Sequence, residues 1–202
     1  MRIGFFMGSF DPIHIGHLNI IREVLNSGLV DRIIVVPSGH NPWKKEEPAP
    51  LDIRAFMIRS AIKLFGSKCE VSTIESTFEP PFTSNKPLNH FRELYKNDEL
   101  YIICGTDTAS KIPYWKNALT EILPFYSIIA VDRGDLNNEE SSDIYTVIGP
   151  DAKQYVCKRI MTSPLNVSST EIRKLINEGK SVYPLVPISV LLTIENAGLY
   201  KD

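Results

Sequence analysis

The first 36 residues limit the fold more than any other part of the chain. Residues 3–7 are a short, almost wholly apolar run of the kind found in a strand buried on both faces. The run stops at Gly8-Ser9 and then Asp11-Pro12, residues that break regular structure. Over residues 15–25 the apolar side chains Leu18, Ile21, Val24 and Leu25 recur at helical spacing, and Gly28 can end the helix. Residues 33–36 form a second apolar, β-branched run stopped by Pro37. Strand, glycine turn, helix, strand is a βαβ unit, which requires parallel pairing and a right-handed crossover.

The alternation continues. A helix is expected over residues 51–65, with Phe56, Met57, Ser60, Ala61 and Leu64 on one side, then a strand over 70–74. After a loop at 77–87 a helix runs through Leu94. Strands follow at 100–104, 126–131 and 155–161, with a short helical region at 116–122 and helices at 168–177 and 188–197. The proline-rich stretch 37–50 reads as a long surface loop, a length uncommon in compact domains without a function. The polar stretch 132–142 is expected to be mobile. The pattern predicts an α/β fold with a doubly wound, mostly parallel sheet, forming one domain over residues 1–202 with the closing helix region 163–202 packed on it. Ligands of such sheets lie beyond the carboxyl ends of the strands, so the turns after Met7, Val36 and Cys104 should share one crevice.

Composition narrows the partners. Lys and Arg number 22 against 24 for Asp and Glu, so there is no excess of positive charge for nonspecific nucleic-acid binding. Cys69, Cys104 and Cys157 are widely spaced, which suggests reduced thiols and a cytoplasmic setting. The opening apolar run is too short for a secretory signal core, and no stretch approaches the roughly 18–20 apolar residues that span a bilayer. Neither a nucleic-acid nor a membrane partner is expected, and the oligomeric state is not specified.

Two of the four histidines stand in Gly8-Ser9-Phe10-Asp11-Pro12-Ile13-His14-Ile15-Gly16-His17. Gly8 leaves the strand where a backbone must approach a ligand closely. His14 and His17, three apart at a helix start, point to one side. The unpaired N–H groups and positive partial charge there favour phosphate, and imidazoles beside them can donate to phosphoryl oxygens. Zinc ligation is the alternative, but no Cys or acidic partner sits at recognisable spacing. The GxGxxG and GxxxxGK[ST] phosphate loops are absent. Near the other end, Ser168 followed by Glu171 fits a capping box, while Ser169, Thr170 and Arg173 cluster at the same first helical turn, suited to phosphate oxygens.

GSFDPIHIGH resembles the GxFDPxHxGH signature of the HxGH nucleotidyltransferase superfamily, and Val167-Ser168-Ser169-Thr170-Glu171-Ile172-Arg173 resembles its ISSTxIR motif. The superfamily includes the nicotinate- and nicotinamide-mononucleotide adenylyltransferases, the pantetheine-phosphate enzyme and several cytidylyltransferases. Gly105-Thr106-Asp107 is similar to the G-[AT]-D turn of the pyridine-nucleotide branch. Trp115, eight residues after Asp107, matches the indole that stacks on the pyridine ring in the bacterial nicotinate-mononucleotide enzymes. A half-buried core aromatic is its structural alternative. Phe82-Thr83 resembles the Tyr-Thr pair that reads the pyridine substituent, and residues 37–44 resemble the loop PxGxPPHK, with Lys44 at its lysine. A solvated loop lysine is the alternative there. Trp43 and the Ser84-Asn85-Lys86-Pro87 segment depart from the pattern, both within the mononucleotide pocket.

The resemblance implies a Rossmann-like nucleotidyltransferase fold and adenylyl transfer from ATP to nicotinate mononucleotide, giving deamido-NAD and pyrophosphate. It implies catalysis by His17 and His14. ATP binding falls to Gly8, Ser9, Phe10, His14, His17, Gly105, Asp107, Ser168, Ser169, Thr170 and Arg173, and mononucleotide binding to Lys44, Phe82, Thr83 and Trp115. Mg²⁺ is implied as cofactor, held mainly by the ATP phosphates and not by a protein cage. The alternatives are the nicotinamide-mononucleotide enzyme, the pantetheine-phosphate enzyme, whose relatives are shorter and lack the Asp107-to-Trp115 spacing, a cytidylyltransferase, and a nucleotide-binding regulator without turnover.

Overall fold

The computed structural model describes residues 1–39, 47–78, 83–132, 143–163 and 165–201. Among these, seven strands form one sheet in the order β3-β2-β1-β4-β5-β7-β6. They are β1 (Arg2–Gly8), β2 (Arg32–Pro37), β3 (Cys69–Val71), β4 (Glu99–Gly105), β5 (Tyr126–Asp132), β6 (Ile144–Ile148) and β7 (Gln154–Met161). Every pairing is parallel except that of β6 with β7. The helices are α1 (Ile15–Asn26), α2 (Leu51–Ile62), α3 (Asn85–Leu94), α4 (Thr106–Ala109), α5 (Ser169–Asn177) and α6 (Ile188–Asn196). The expected doubly wound α/β sheet is therefore present.

Because successive side chains of a strand face opposite ways, the continuous apolar runs feed two cores. Phe6, Ile33, Val35, Ile103 and Ile129 pack with Ile20, Ile21 and Val24 of α1, Met57 and Ile58 of α2, and Ile172 and Val190 of α5 and α6. Phe5, Ile34, Val36, Ile102 and Ile128 pack with Leu88 and Phe91 of α3 on the other side. The chain runs outward from β1 through β2 to β3, then returns to place β4 on the opposite flank of β1. That reversal makes the carboxyl ends of β1 and β4 the topological switch point, where a crevice opens.

Several local expectations are corrected. Helix α2 ends at Ile62 and a 3₁₀ stretch, Lys63–Lys68, follows, with Gly66 at φ 58°. Its buried stripe is Arg54, Ala55, Met57, Ile58, Ala61 and Ile62, so Phe56 and Leu64 point outward at 57% and 67% exposure. A shift of one residue around the helix separates the two readings, since Phe56-Met57 supplies an apolar residue to either face. Strand β3 is only three residues long, and Ile74–Thr77 is a 3₁₀ turn. Helix α3 begins before Pro87, which falls in the first turn where its missing N–H costs nothing. Strand β6 is not anticipated by the sequence reading. The expectation of mobility over 132–142 falls almost entirely outside the described residues.

Candidate active site

The turn leaving β1 is shaped by backbone constraints. The Ser38 N–H donates to the Gly8 carbonyl at 2.8 Å, joining the ends of β1 and β2. Phe10 adopts a left-handed φ of 47°, uncommon for a residue with a Cβ, and is held there by burial. Its ring packs edge-on against Phe6 and His17, with centroids 5.1 and 4.9 Å apart. The structure thus places Phe10 in the core beneath His17.

His14 caps α1 in an unusual way. Its Nδ1 accepts from the Gly16 N–H at 3.1 Å, and Nδ1 of His17 accepts from the His14 N–H at 3.3 Å. Imidazoles here do the work of the hydroxyl and carboxylate of an ordinary capping box. A neutral ring whose Nδ1 accepts carries its proton on Nε2, so each histidine is set as an Nε2–H donor. The two rings stack with centroids 3.7 Å apart and planes inclined by 26°. His14 is buried and His17 half-buried.

Gly16 permits this arrangement. A Cβ at that position would lie 3.0 Å from Cε1 and Nδ1 of His14 and 3.0 Å from a methyl of Val167. Gly16→Ala is therefore expected to destabilise the fold by about 1–3 kcal/mol through overpacking. Displacing the His14 ring by a few tenths of an ångström should cost turnover about tenfold. Steady-state assays beside urea unfolding check this; unchanged turnover would mean that the ring's place is not demanding.

The closing motif grips the opening one. Ser168 caps α5, its hydroxyl accepting from the Glu171 N–H at 3.1 Å. Ser169 Oγ donates to the Pro12 carbonyl at 2.9 Å, and Arg173 Nη1 donates to the Asp11 carbonyl at 2.9 Å. The Asp11 carboxylate, 5% exposed, accepts from the Tyr200 hydroxyl at 2.7 Å and from the Ala49 N–H at 3.1 Å. Burial together with the Asp11 charge drives the Tyr200 phenol well above its ordinary range. Thr170 and Arg173 line a cavity of about 520 Å³ with Asp11, Lys174 and Tyr200.

Arg54 is a residue that the sequence reading missed. It is 1% exposed, and its guanidinium donates to the carbonyls of Ala49 (2.7 Å), Ser9 (2.7 Å) and Ser38 (2.8 Å). One side chain thereby fastens the turns after β1 and β2. Burial pulls its pKa down, opposed by the carboxylate charges of Asp11 and Glu75. Glu75, 5% exposed, accepts from the Gly39 N–H at 2.7 Å, and burial pushes its carboxyl up. The available signal was position: Arg54 stands three and four residues before Met57 and Ile58, on the apolar stripe of α2.

On the opposite flank, Gly105 ends β4 and Asp107 lies in the first turn of α4. A Cβ at Gly105 would meet the Asp107 carboxylate at 2.6 Å, so only glycine leaves room for that side chain to fold back over the strand end. Gly8 and Gly105 lie two residues beyond the paired Phe6 and Ile103. Trp115 is half-buried against the second core, and Thr83 opens the first turn of α3. Lys44, Phe82 and Trp43 lie outside the described residues. Among the described residues no three His, Cys, Asp or Glu side chains are grouped to hold a metal ion.

Comparison with known proteins gives this geometry a family. A model described as cytidylyltransferase-like matches residues 5–175. A probable nicotinate-nucleotide adenylyltransferase of Caldicellulosiruptor bescii is 33% identical over 201 residues, covering 100% of both chains. Another, of Methylacidiphilum infernorum, is 33% identical over 200 residues, covering 98% of this chain and 92% of its own. The chain belongs to the nicotinate-nucleotide adenylyltransferase family of cytidylyltransferase-like proteins. A solved structure of a Plasmodium falciparum nicotinic acid mononucleotide adenylyltransferase, complexed with NaAD, shares the family fold with a TM-score of 0.73, at 21% identity over 98% of this chain and 97% of its own. The span matched by the cytidylyltransferase-like family includes both His14–His17 and Ser169–Arg173, the two segments that meet through Pro12 and Asp11.

Proposed function

We propose that the protein transfers the adenylyl group of ATP to nicotinate mononucleotide, forming deamido-NAD and pyrophosphate. The observation that carries this reading is the stacked pair of imidazoles at the start of α1, each accepting at Nδ1 and so set to donate from Nε2, with α5 bonded to the same turn. An oxygen of the mononucleotide 5′-phosphate attacks the α-phosphorus in line, a new P–O bond forms, and the α–β bridging bond breaks. No protein nucleophile is involved. His17, helped by His14, donates to the phosphoryl oxygens on which charge develops. Ser168, Ser169, Thr170 and Arg173 serve the departing phosphates, while Gly8, Ser9, Phe10, Gly105 and Asp107 shape and line the ATP side. Lys44, Phe82, Thr83 and Trp115 take the mononucleotide. Mg²⁺, held mainly by the ATP phosphates and not by a protein cage, would supply neutralisation of their charge.

Residues 1–202 work as one nucleotidyltransferase domain, the 163–202 region being fastened through Ser169, Arg173 and Tyr200. A cytoplasmic location agrees with the buried free thiols Cys69, Cys104 and Cys157. Among the described residues no helix is long and apolar enough to cross a membrane.

The test is pyrophosphate release from ATP and Mg²⁺ with nicotinate or nicotinamide mononucleotide at matched concentrations. The expected result is strong preference for the acid. Preference for the amide would move the protein to the nicotinamide branch, and release with neither would overturn the pyridine assignment.

A further inference from the structure

Two parts of the proposed mononucleotide site come from distant segments. Thr83 leads into α3, and Trp115 follows a 3₁₀ turn, Ile112–Tyr114, that leaves β4 by way of α4. Neither turn has a strand ladder to hold it. One carboxylate gathers amides from both. Glu121 Oε2 accepts from the side-chain amides of Asn85 at 3.1 Å and Asn89 at 3.2 Å, both on α3. Its Oε1 accepts from the Asn117 amide at 2.8 Å. Asn85, buried at 9% exposure, also donates to the Lys116 carbonyl, the residue beside Trp115. Asn117 takes a left-handed φ of 57°, so the chain reversal just after Trp115 is tied to the same carboxylate.

We propose that Glu121 is a positioning residue for the pyridine mononucleotide, clamping the Thr83 and Trp115 turns at a fixed separation through Asn85, Asn89 and Asn117. The proposal rests on the function proposed above. Asn85 lies in the Ser84-Asn85-Lys86-Pro87 segment that directly follows Thr83. A charged acceptor suits the task, since three amide N–H donors converge on it and carboxylate-accepted hydrogen bonds are the stronger kind. Those amides hold the Glu121 carboxyl below its ordinary range. A glutamine would turn one acceptor oxygen into a donor facing donors. Neither Glu121 nor its partners touch the His14–His17 turn in any described contact, so the ATP side should be insulated.

Glu121→Gln and Glu121→Ala test this through separate KM values for nicotinate mononucleotide and ATP. The expected result is a rise of about tenfold or more in KM for the mononucleotide, with KM for ATP and kcat at saturation changing less than about twofold. Asn117→Gly provides a second variant, since glycine accepts the left-handed conformation while losing the amide. It should raise the same KM by a smaller factor without lowering the unfolding midpoint. Equal rises for both substrates, or an unchanged mononucleotide KM in variants that fold, would overturn the proposal alone. A wild-type protein that fails to use nicotinate mononucleotide would overturn the function beneath it, and the clamp's assigned role with it.

Discussion

Replacing His17 by alanine is expected to lower kcat by roughly a hundredfold to a thousandfold, the scale of one lost oxyanion donor. That factor corresponds to about 2.7–4 kcal/mol at the transition state. The structural cost is smaller. His17 also receives the His14 N–H and packs on Phe10, and losing a helix cap typically costs about 0.5–2 kcal/mol. The two effects separate in practice, because fold loss reduces the active fraction whereas donor loss slows every active molecule. Single-turnover rates measured on folded, active-site-titrated variant should carry the large factor. A His17→Ala protein with near-normal single-turnover rate would remove His17 from the proposed chemistry.

Arg54→Leu is expected to produce the largest loss of stability among single substitutions at the site. It strips the Ala49, Ser9 and Ser38 carbonyls of this donor and removes the buried cation beside Asp11 and Glu75, leaving Asp11 its ion pair with Arg173 at 3.9 Å. Breaking a buried, hydrogen-bonded charge from one side costs about 3–5 kcal/mol. Urea unfolding should register that loss. Arg54→Lys should recover only part of it, since an ammonium on a flexible stem cannot reproduce the planar fork spanning three carbonyls. If the leucine variant kept the wild-type urea midpoint, the guanidinium could not be what fastens the two turns.

Much of the frame was legible because parallel strands buried on both faces leave continuous apolar runs, as in β1, β2, β4 and β5. Strand β6 escaped because it is an antiparallel edge strand with exposed Ile144 and Ile148, so it lacks that signature. At the site, His14 and His17 were readable from spacing, and Ser168 from its capping pattern. Arg54 was not, because its position before Met57 and Ile58 points inward only once the buried face of α2 is known, and Phe56-Met57 offers an apolar residue to either face. Phe10 shows the same limit from the other side. Its place in a motif suggests a nucleotide contact, whereas its ring lies in the core under His17, and a left-handed φ on a phenylalanine leaves no mark in the sequence.

The hydroxyl of Tyr200 meets the Asp11 carboxylate across 189 residues of chain, and α5 meets the same turn across nearly as many. This separation imposes an order in time. Translation at about 5–20 residues per second leaves roughly 10–40 s between the emergence of Asp11 and that of Tyr200. Throughout that interval the His14–His17 turn exists on the ribosome without its clasp. The His14–His17 turn, made early, is therefore clasped late.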